Sequence, residues 1–192
     1  MDTQSATRDA LLDAIIEMEL VMFVATPNEG GPASCQQKPE AFRMMRWMAH
    51  CIHDEATLLS YYNDLQAAQI NERNLMVEKY ARMDNRIPPV STSPLVDHIA
   101  EAESSWLEAA VNLYPHALKG NGKQVFKHYI SCELETLSDE TLEHYANEVN
   151  IALQNNKNLV IDRHDMLCKR LGYESLAARE AQLAAQTQGE SA

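Results

Sequence analysis

The chain has 192 residues, 45% of them hydrophobic, and a formal net charge of −12. That charge excludes a nucleic-acid or anionic-membrane partner, because phosphate binding needs clustered Lys and Arg. No apolar run approaches the roughly 18 residues of a membrane span, the first residues (MDTQSATRDALLD) lack a signal-peptide pattern, and the cysteines at 35, 51, 132 and 168 show no CxxC spacing. A cytoplasmic protein with reduced thiols and no membrane partner is expected.

In chain order, the 3.6-residue periodicity of apolar positions predicts helices over roughly 6–24, 39–51, 54–71 and 74–84. Pro39 opens the second of these and Asn74 suits the N-cap of the fourth. The stretch Arg86-Ile-Pro-Pro-Val-Ser-Thr-Ser-Pro94 reads as a proline-stiffened linker. Further helices follow over roughly 94–112, 123–134, 139–155 and 158–171, with Pro94, Ser138 and Asn158 as start signals. Strand signals are absent. A last helix over 175–186, read as a surface helix or an oligomer contact, precedes a polar tail, so a homo-oligomer stays open.

The two runs of helices are related. With a constant shift of 84 and no gap, Thr57, Leu58, Tyr61, Asn63, Ala68, Asn71, Asn74 and Leu75 meet identical residues from Thr141 to Leu159. Upstream, Leu11, Asp13, Ile15, Glu17, Glu19, Asn28, Ala33 and Phe42 meet identities from Leu95 to Phe126, against about four identities expected by chance over the whole span. The fold class expected is all-α: two tandem pseudo-symmetric four-helix units, an internal repeat of about 84 residues, packed into one helical bundle. Repeat 1 spans about 8–84, the linker 85–94, repeat 2 about 95–170, and the C-terminal helix and tail 173–192, all in a single domain because each unit alone is near the lower limit for an independent core.

Helical phase places some charges inward. Glu19 lies amid Leu12, Ile15 and Met22, whereas Glu17 points away; Glu103 and Glu101 repeat this, and Glu133 shares a face with Phe126 and Tyr129. Lys79, its counterpart Arg163, and Arg46 fall at the edges of apolar faces, and Tyr61 faces inward. A buried carboxylate must be paired, protonated or metal-bound. Three readings stand. The first is structural ion pairs, Glu19 and Glu103 with Lys79 and Arg163 in either order. The second is an acid/base site in which crowded carboxylates raise one another's pKa. The third is a carboxylate-bound metal, although the Glu-x-x-His of a di-iron bundle is missing.

Residues present in only one unit are the better functional candidates. The loop Asn28-Glu-Gly-Gly-Pro-Ala-Ser-Cys-Gln36 differs from its counterpart, and Gly30 and Gly31 let a backbone approach a ligand closely. Cys35 is a candidate nucleophile there or a plain buried cysteine. Arg46 and Trp47, also unshared, suit an anionic group. No histidine acquires a role.

The runs IIEMELVMF, NEGGPASCQ, FRMMR and RNLMVEKYARM, with LYP, GNGK and CELETLSDETLEHYA later in the chain, resemble the DUF4125 family over roughly residues 10–178. The resemblance implies that Glu19, Gly30, Gly31, Cys35, Arg46, Arg73, Glu78, Lys79 and Arg82 stand at family-pattern positions; it implies no chemistry.

The function expected is a small-molecule enzyme, cofactor-independent or metal-assisted, with its site between the repeats near loop 28–36. Glu19, Glu103, Glu133, Tyr61 and Cys35 are the catalytic candidates, and Gly30, Gly31, Arg46 and Lys79 the binding candidates for an anionic ligand. The alternative is a non-catalytic scaffold or partner-binding protein whose buried ion pairs are structural.

Overall fold

Start and stop signals in the sequence set the helices almost residue by residue. A computed structural model describes residues 3–27, 31, 34 and 36–189, and among these the regular structure is all helical. The first run is α1 (Thr3–Val24), α2 (Pro39–His50), α3 (Glu55–Ile70) and α4 (Leu75–Met83). The second is α5 (Pro94–Leu113), α6 (Lys123–Leu134), α7 (Asp139–Gln154) and α8 (Leu159–Arg170), followed by α9 (Leu176–Gly189). Pro39 and Pro94 occupy first helical positions, where the missing N–H has no intrahelical acceptor to lose. Asp54 and Ser138 cap α3 and α7 through the amides of Thr57 and Thr141.

Asn74 and Asn158 do two jobs at once. The Asn74 side chain accepts from the amides of Met76 and Val77 while its Nδ2 donates to the Met22 carbonyl at 2.8 Å. Asn158 likewise accepts from Ile161 N and donates to the Trp106 carbonyl at 2.9 Å. Each residue therefore starts a helix and ties it to another, Asn74 to the last turn of α1 and Asn158 to the body of α5. Asn74→Ala is expected to cost about 2 kcal/mol, roughly 1 for the cap and 1 for the lost bond to Met22. Asn74→Asp keeps the acceptor but loses the donor and is expected to cost about half of that, read from urea unfolding midpoints. No loss in Asn74→Asp would show that the tie to Met22 contributes nothing, and equal losses in the two variants would show the same of the cap.

Two apolar clusters form the core. Leu12, Ile15, Phe23, Phe42, Leu58, Leu65 and Leu75 belong to one; Ile99, Trp106, Leu134, Leu142, Val149, Val160 and Leu176 to the other, and Leu137 packs against both. Between the halves, α3 packs on α7, α4 on α6 and α2 on α8. Acidic residues clamp the α3–α7 contact from both sides. Glu148 of α7 accepts from Asp54 N (2.7 Å) and Thr57 Oγ1 (3.0 Å) and meets His53 Nδ1 at 2.5 Å. Asp64 of α3 accepts from Ser138 N (3.0 Å) and Thr141 Oγ1 (2.7 Å). Each carboxylate thus sits at the positive end of the facing helix, a favourable place for a negative charge. The Arg170 guanidinium lies 4.4 Å from the Trp47 ring centre, joining α8 to α2. The linker between the runs is pinned by Glu135, which takes Arg82 in a two-pronged bond (2.6 and 3.0 Å) and Val90 N at 3.1 Å.

The last helix is docked. Leu176 is buried, and Glu180 accepts from the amides of His116 and Ala117. Among the described residues no helix is long and apolar enough to cross a membrane.

Candidate functional site

The inward glutamates predicted from helical phase are at the centre of the molecule. Glu19 and Glu103 are both 0% exposed, and each is met by a tyrosine from the helix packed against it. Tyr61 on α3 donates to Glu19 at 2.7 Å and Tyr145 on α7 donates to Glu103 at 2.8 Å. Their cations differ from one another. Arg46 grips Glu19 with both Nε (2.8 Å) and Nη2 (2.6 Å), a fork-to-fork pair from α2. Arg163 reaches Glu103 through Nη2 alone (2.6 Å), leaving its own Nε and Glu103 Oε2 enclosed without a hydrogen-bond partner among the described residues.

Glu19 therefore pairs with Arg46 and not with Lys79, correcting half of the expected exchange; the Glu103–Arg163 pair is as expected. Lys79 instead bonds Glu133 of α6 and donates to Tyr129 Oη at 2.8 Å, with the Tyr129 ring 4.0 Å from its nitrogen. Arg46 Nη2 also reaches Glu133, at 2.8 Å, so one guanidinium bridges Glu19 and Glu133. Sequence phase put Arg46, Lys79 and Arg163 at the edges of their apolar faces, yet all three are buried. A helical wheel knows only its own helix; the edge of α4 is covered by α6 and that of α2 by α8.

The electrostatics reverse the expectation of a carboxylate poised near neutrality. Burial pushes Glu19 up, but the Arg46 guanidinium and His50 outweigh it and hold the carboxyl at about 2. Glu133 is partly buried, and Arg46 and Lys79 draw it well below the usual range. The two carboxylates do not crowd each other because a cation stands between them, so both stay ionised at neutral pH. Burial, with Glu19 alongside, raises the Tyr61 phenol well above its ordinary value, so it remains a donor. Burial lowers Lys79, but the charge of Glu133 more than restores it and keeps the amine protonated.

His50 is the group that sequence reasoning missed. It lies one turn beyond Arg46 on the same face of α2, with Nε2 3.0 Å from Arg46 Nη2 and 3.1 Å from Glu19 Oε1. One nitrogen cannot both accept from the guanidinium and donate to the carboxylate, so each ring tautomer satisfies one contact only. Burial lowers the His50 pKa, against the pull of Glu19, and the imidazole is neutral at pH 7. Its spacing from Arg46 was the available signal. Asp64 and Glu148 were missed as well, although the shift of 84 pairs them as acids.

Two hollows meet at this network. A pocket of about 440 Å³ opens between the halves, with Ser34 and Lys38 at the α2 end and Phe42, Met45, Met76, Tyr80, Phe126 and Tyr129 among its apolar walls. Arg46, Lys79, Glu133 and Arg163 also line it. Behind it is a chamber of about 50 Å³ flanked by His50, His53, Tyr61 and Tyr145, and Ala49, Ile130, Glu133 and Arg163 border both spaces. Of the predicted site residues, Arg46, Lys79 and Glu133 line the pocket, Tyr61 and Glu133 line the chamber, and Glu19 and Glu103 stand behind the walls. Gly31 has φ +101, a conformation that favours glycine. Gly30 and Cys35 lie outside the described residues. Cys51 and Cys132 are buried, with burial pushing the first thiol up to about 11 and raising the second, the opposite of an activated nucleophile. For the metal reading, no three His, Cys, Asp or Glu side chains converge on one point among the described residues.

The family model described as "Protein of unknown function (DUF4125)" matches residues 9–181. No curated protein and no solved structure matches the chain.

Proposed function

The chain belongs to the DUF4125 family, and on that premise we propose that it acts on a small molecule held in the pocket between its halves. The observation that carries this reading is a pocket of about 440 Å³ with mostly apolar walls and three buried cations, Arg46, Lys79 and Arg163, in a protein whose net charge is −12. Pockets of roughly 300–1,000 Å³ with apolar walls and a few fixed polar groups are the usual small-molecule sites. The ionised glutamates keep these cations charged and in place. Proton transfer falls to His50, neutral and bordering the inner chamber, rather than to Glu19 or Glu133.

We further propose that the two runs of helices are a duplicated unit related by a pseudo-two-fold axis, with α3 and α7 at its centre. The helix starts Pro39, Glu55 and Leu75 are each offset by 84 from Lys123, Asp139 and Leu159. The Tyr–Glu bonds, the Asn74 and Asn158 ties and the Asp64 and Glu148 clamps occur at matched positions. A site at that junction is asymmetric because Arg46 has Ile130 as its counterpart.

A non-catalytic scaffold is favoured by one observation: Glu19 is wholly enclosed and fully bonded, as a structural ion pair would be. Ligand binding separates the two readings. Thermal unfolding in the presence of apolar carboxylic acids is expected to rise by about 5–11 °C at a ligand concentration 100 times Kd, equivalent to about 2.7 kcal/mol. Met45 lines the pocket while 62% exposed, so Met45→Trp is expected to fill the mouth, leave the unliganded melting temperature unchanged and abolish that rise. A rise that survives Met45→Trp places the ligand elsewhere and sinks the pocket reading.

A further inference from the structure

Of the three buried cations that line the pocket, Arg163 is the one left under-bonded among the described residues. Arg46 makes four contacts through Nε and Nη2 and is fixed by Glu19, Glu133 and His50. Lys79 is held by Glu133 and Tyr129. Arg163 is 93% enclosed, since its relative exposure is 7%, yet it reaches its carboxylate by one nitrogen, and its Nε has no partner among the described residues. Buried guanidinium donors are rarely left unmatched, because desolvation is not repaid. Arg163 also borders both the pocket and the chamber, so a ligand group meets it from either side.

Charge limits what that ligand group is. The pocket cations are Lys38, Arg46, Lys79 and Arg163; the carboxylates paired with them are Glu133 in the wall and Glu19 and Glu103 behind it. The three buried cations are matched by these three carboxylates, and the surplus of one positive charge is Lys38, exposed at the α2 end of the pocket. A second negative charge on the ligand would face the ionised Glu133 uncompensated. The walls around the cations include Phe42, Tyr80, Phe126 and Tyr129, which suit a flat apolar body.

We propose that the pocket takes a monocarboxylate with a planar apolar body, and that Arg163 is the residue that recognises its carboxylate. This rests on the small-molecule reading of the same pocket and names its ligand class and anchor. One Nη2 bond to Glu103 and the neighbouring Tyr145 hydroxyl hold the Arg163 guanidinium less firmly than the two-pronged grip on Glu19 and the bond to Glu133 hold Arg46.

Calorimetric titration of the full chain with naphthoate, naphthamide and naphthalenedicarboxylate tests this without any substitution. Naphthoate is expected to bind at least tenfold more tightly than its neutral amide and at least tenfold more tightly than the dicarboxylate. Arg163→Lys keeps the charge but loses the planar fork, and is expected to weaken naphthoate at least tenfold while leaving naphthamide unchanged. Equal affinity for acid and amide, with binding lost in Met45→Trp, overturns the Arg163 assignment and leaves the pocket standing. Tighter binding of the dicarboxylate overturns the single-charge argument. If Arg163→Lys does not fold, the comparison of the three probes on the unsubstituted chain still decides. Failure of all three probes to bind overturns the small-molecule reading itself.

Discussion

Arg46→Met is expected to lower stability by about 3–5 kcal/mol, the cost of breaking a buried ion pair from one side. For a chain of this size that is a fall in melting temperature of about 6–20 °C. The effect is large because one guanidinium serves two carboxylates, the enclosed Glu19 at 2.6 Å and the partly buried Glu133 at 2.8 Å. Removing it strands Glu19 with only Tyr61 and a neutral His50, whereas Glu133 still has Lys79. Methionine fills most of the volume, so the loss reports charge rather than a cavity. Adding Glu19→Gln to Arg46→Met is expected to restore at least half of the loss, because the stranded charge is then gone. Unfolding of the two single variants and the double variant measures this coupling directly. Additive losses would mean that Glu19 and Arg46 are not energetically joined.

Acidification is expected to unfold the protein in two stages, with the larger loss below pH 4.5. Glu19 has a folded pKa of about 2 against an ordinary 4.5, so the unfolded chain binds the extra proton first. Its contribution is complete above pH 4.5 and disappears as the pH falls toward 2, a loss of order 3 kcal/mol. Glu133 is depressed in the same direction and adds to the same window. An earlier and smaller decline begins near pH 6.5. There the unfolded histidines take up protons that burial denies to folded His50 and His164, whose pKa values are lowered. Urea midpoints between pH 7 and pH 3 are expected to fall throughout and most steeply below 4.5. Glu19→Gln flattens the lower window specifically; a variant with an unchanged acid slope would show that Glu19 is not the depressed carboxylate.

The same fixed charges bear on function. A carboxylate held at about 2 cannot deliver a proton at neutral pH, and for that reason the proposed activity gives proton transfer to His50. The tautomer conflict at His50 Nε2 makes the ring responsive to its surroundings. A ligand that draws Arg46 away favours the tautomer that donates to Glu19. The pocket lies directly on the other side of Arg46 and Glu133 from this ring.

What the sequence determined by itself was local and periodic. Six of the nine described helices, α2 to α5, α7 and α8, begin where proline, asparagine, serine and aspartate signals put them, because capping is chemistry between residues two or three apart. The inward glutamates were legible for the same reason: a 3.6-residue period fixes which face a residue shares with its own helix. Only the tertiary structure decided their partners. Glu19 and Arg46 are 27 residues apart, Arg46 and Glu133 are 87, and nothing in a single helix says which neighbour will cover its edge. The buried state of Lys79, the ionised state of Glu19 and the neutral state of His50 all follow from that covering, since a pKa is set by burial and by the charges that arrive from other elements. The clamps made by Asp64 and Glu148 belong to the same class, because a carboxylate finds the end of a facing helix only after both have packed.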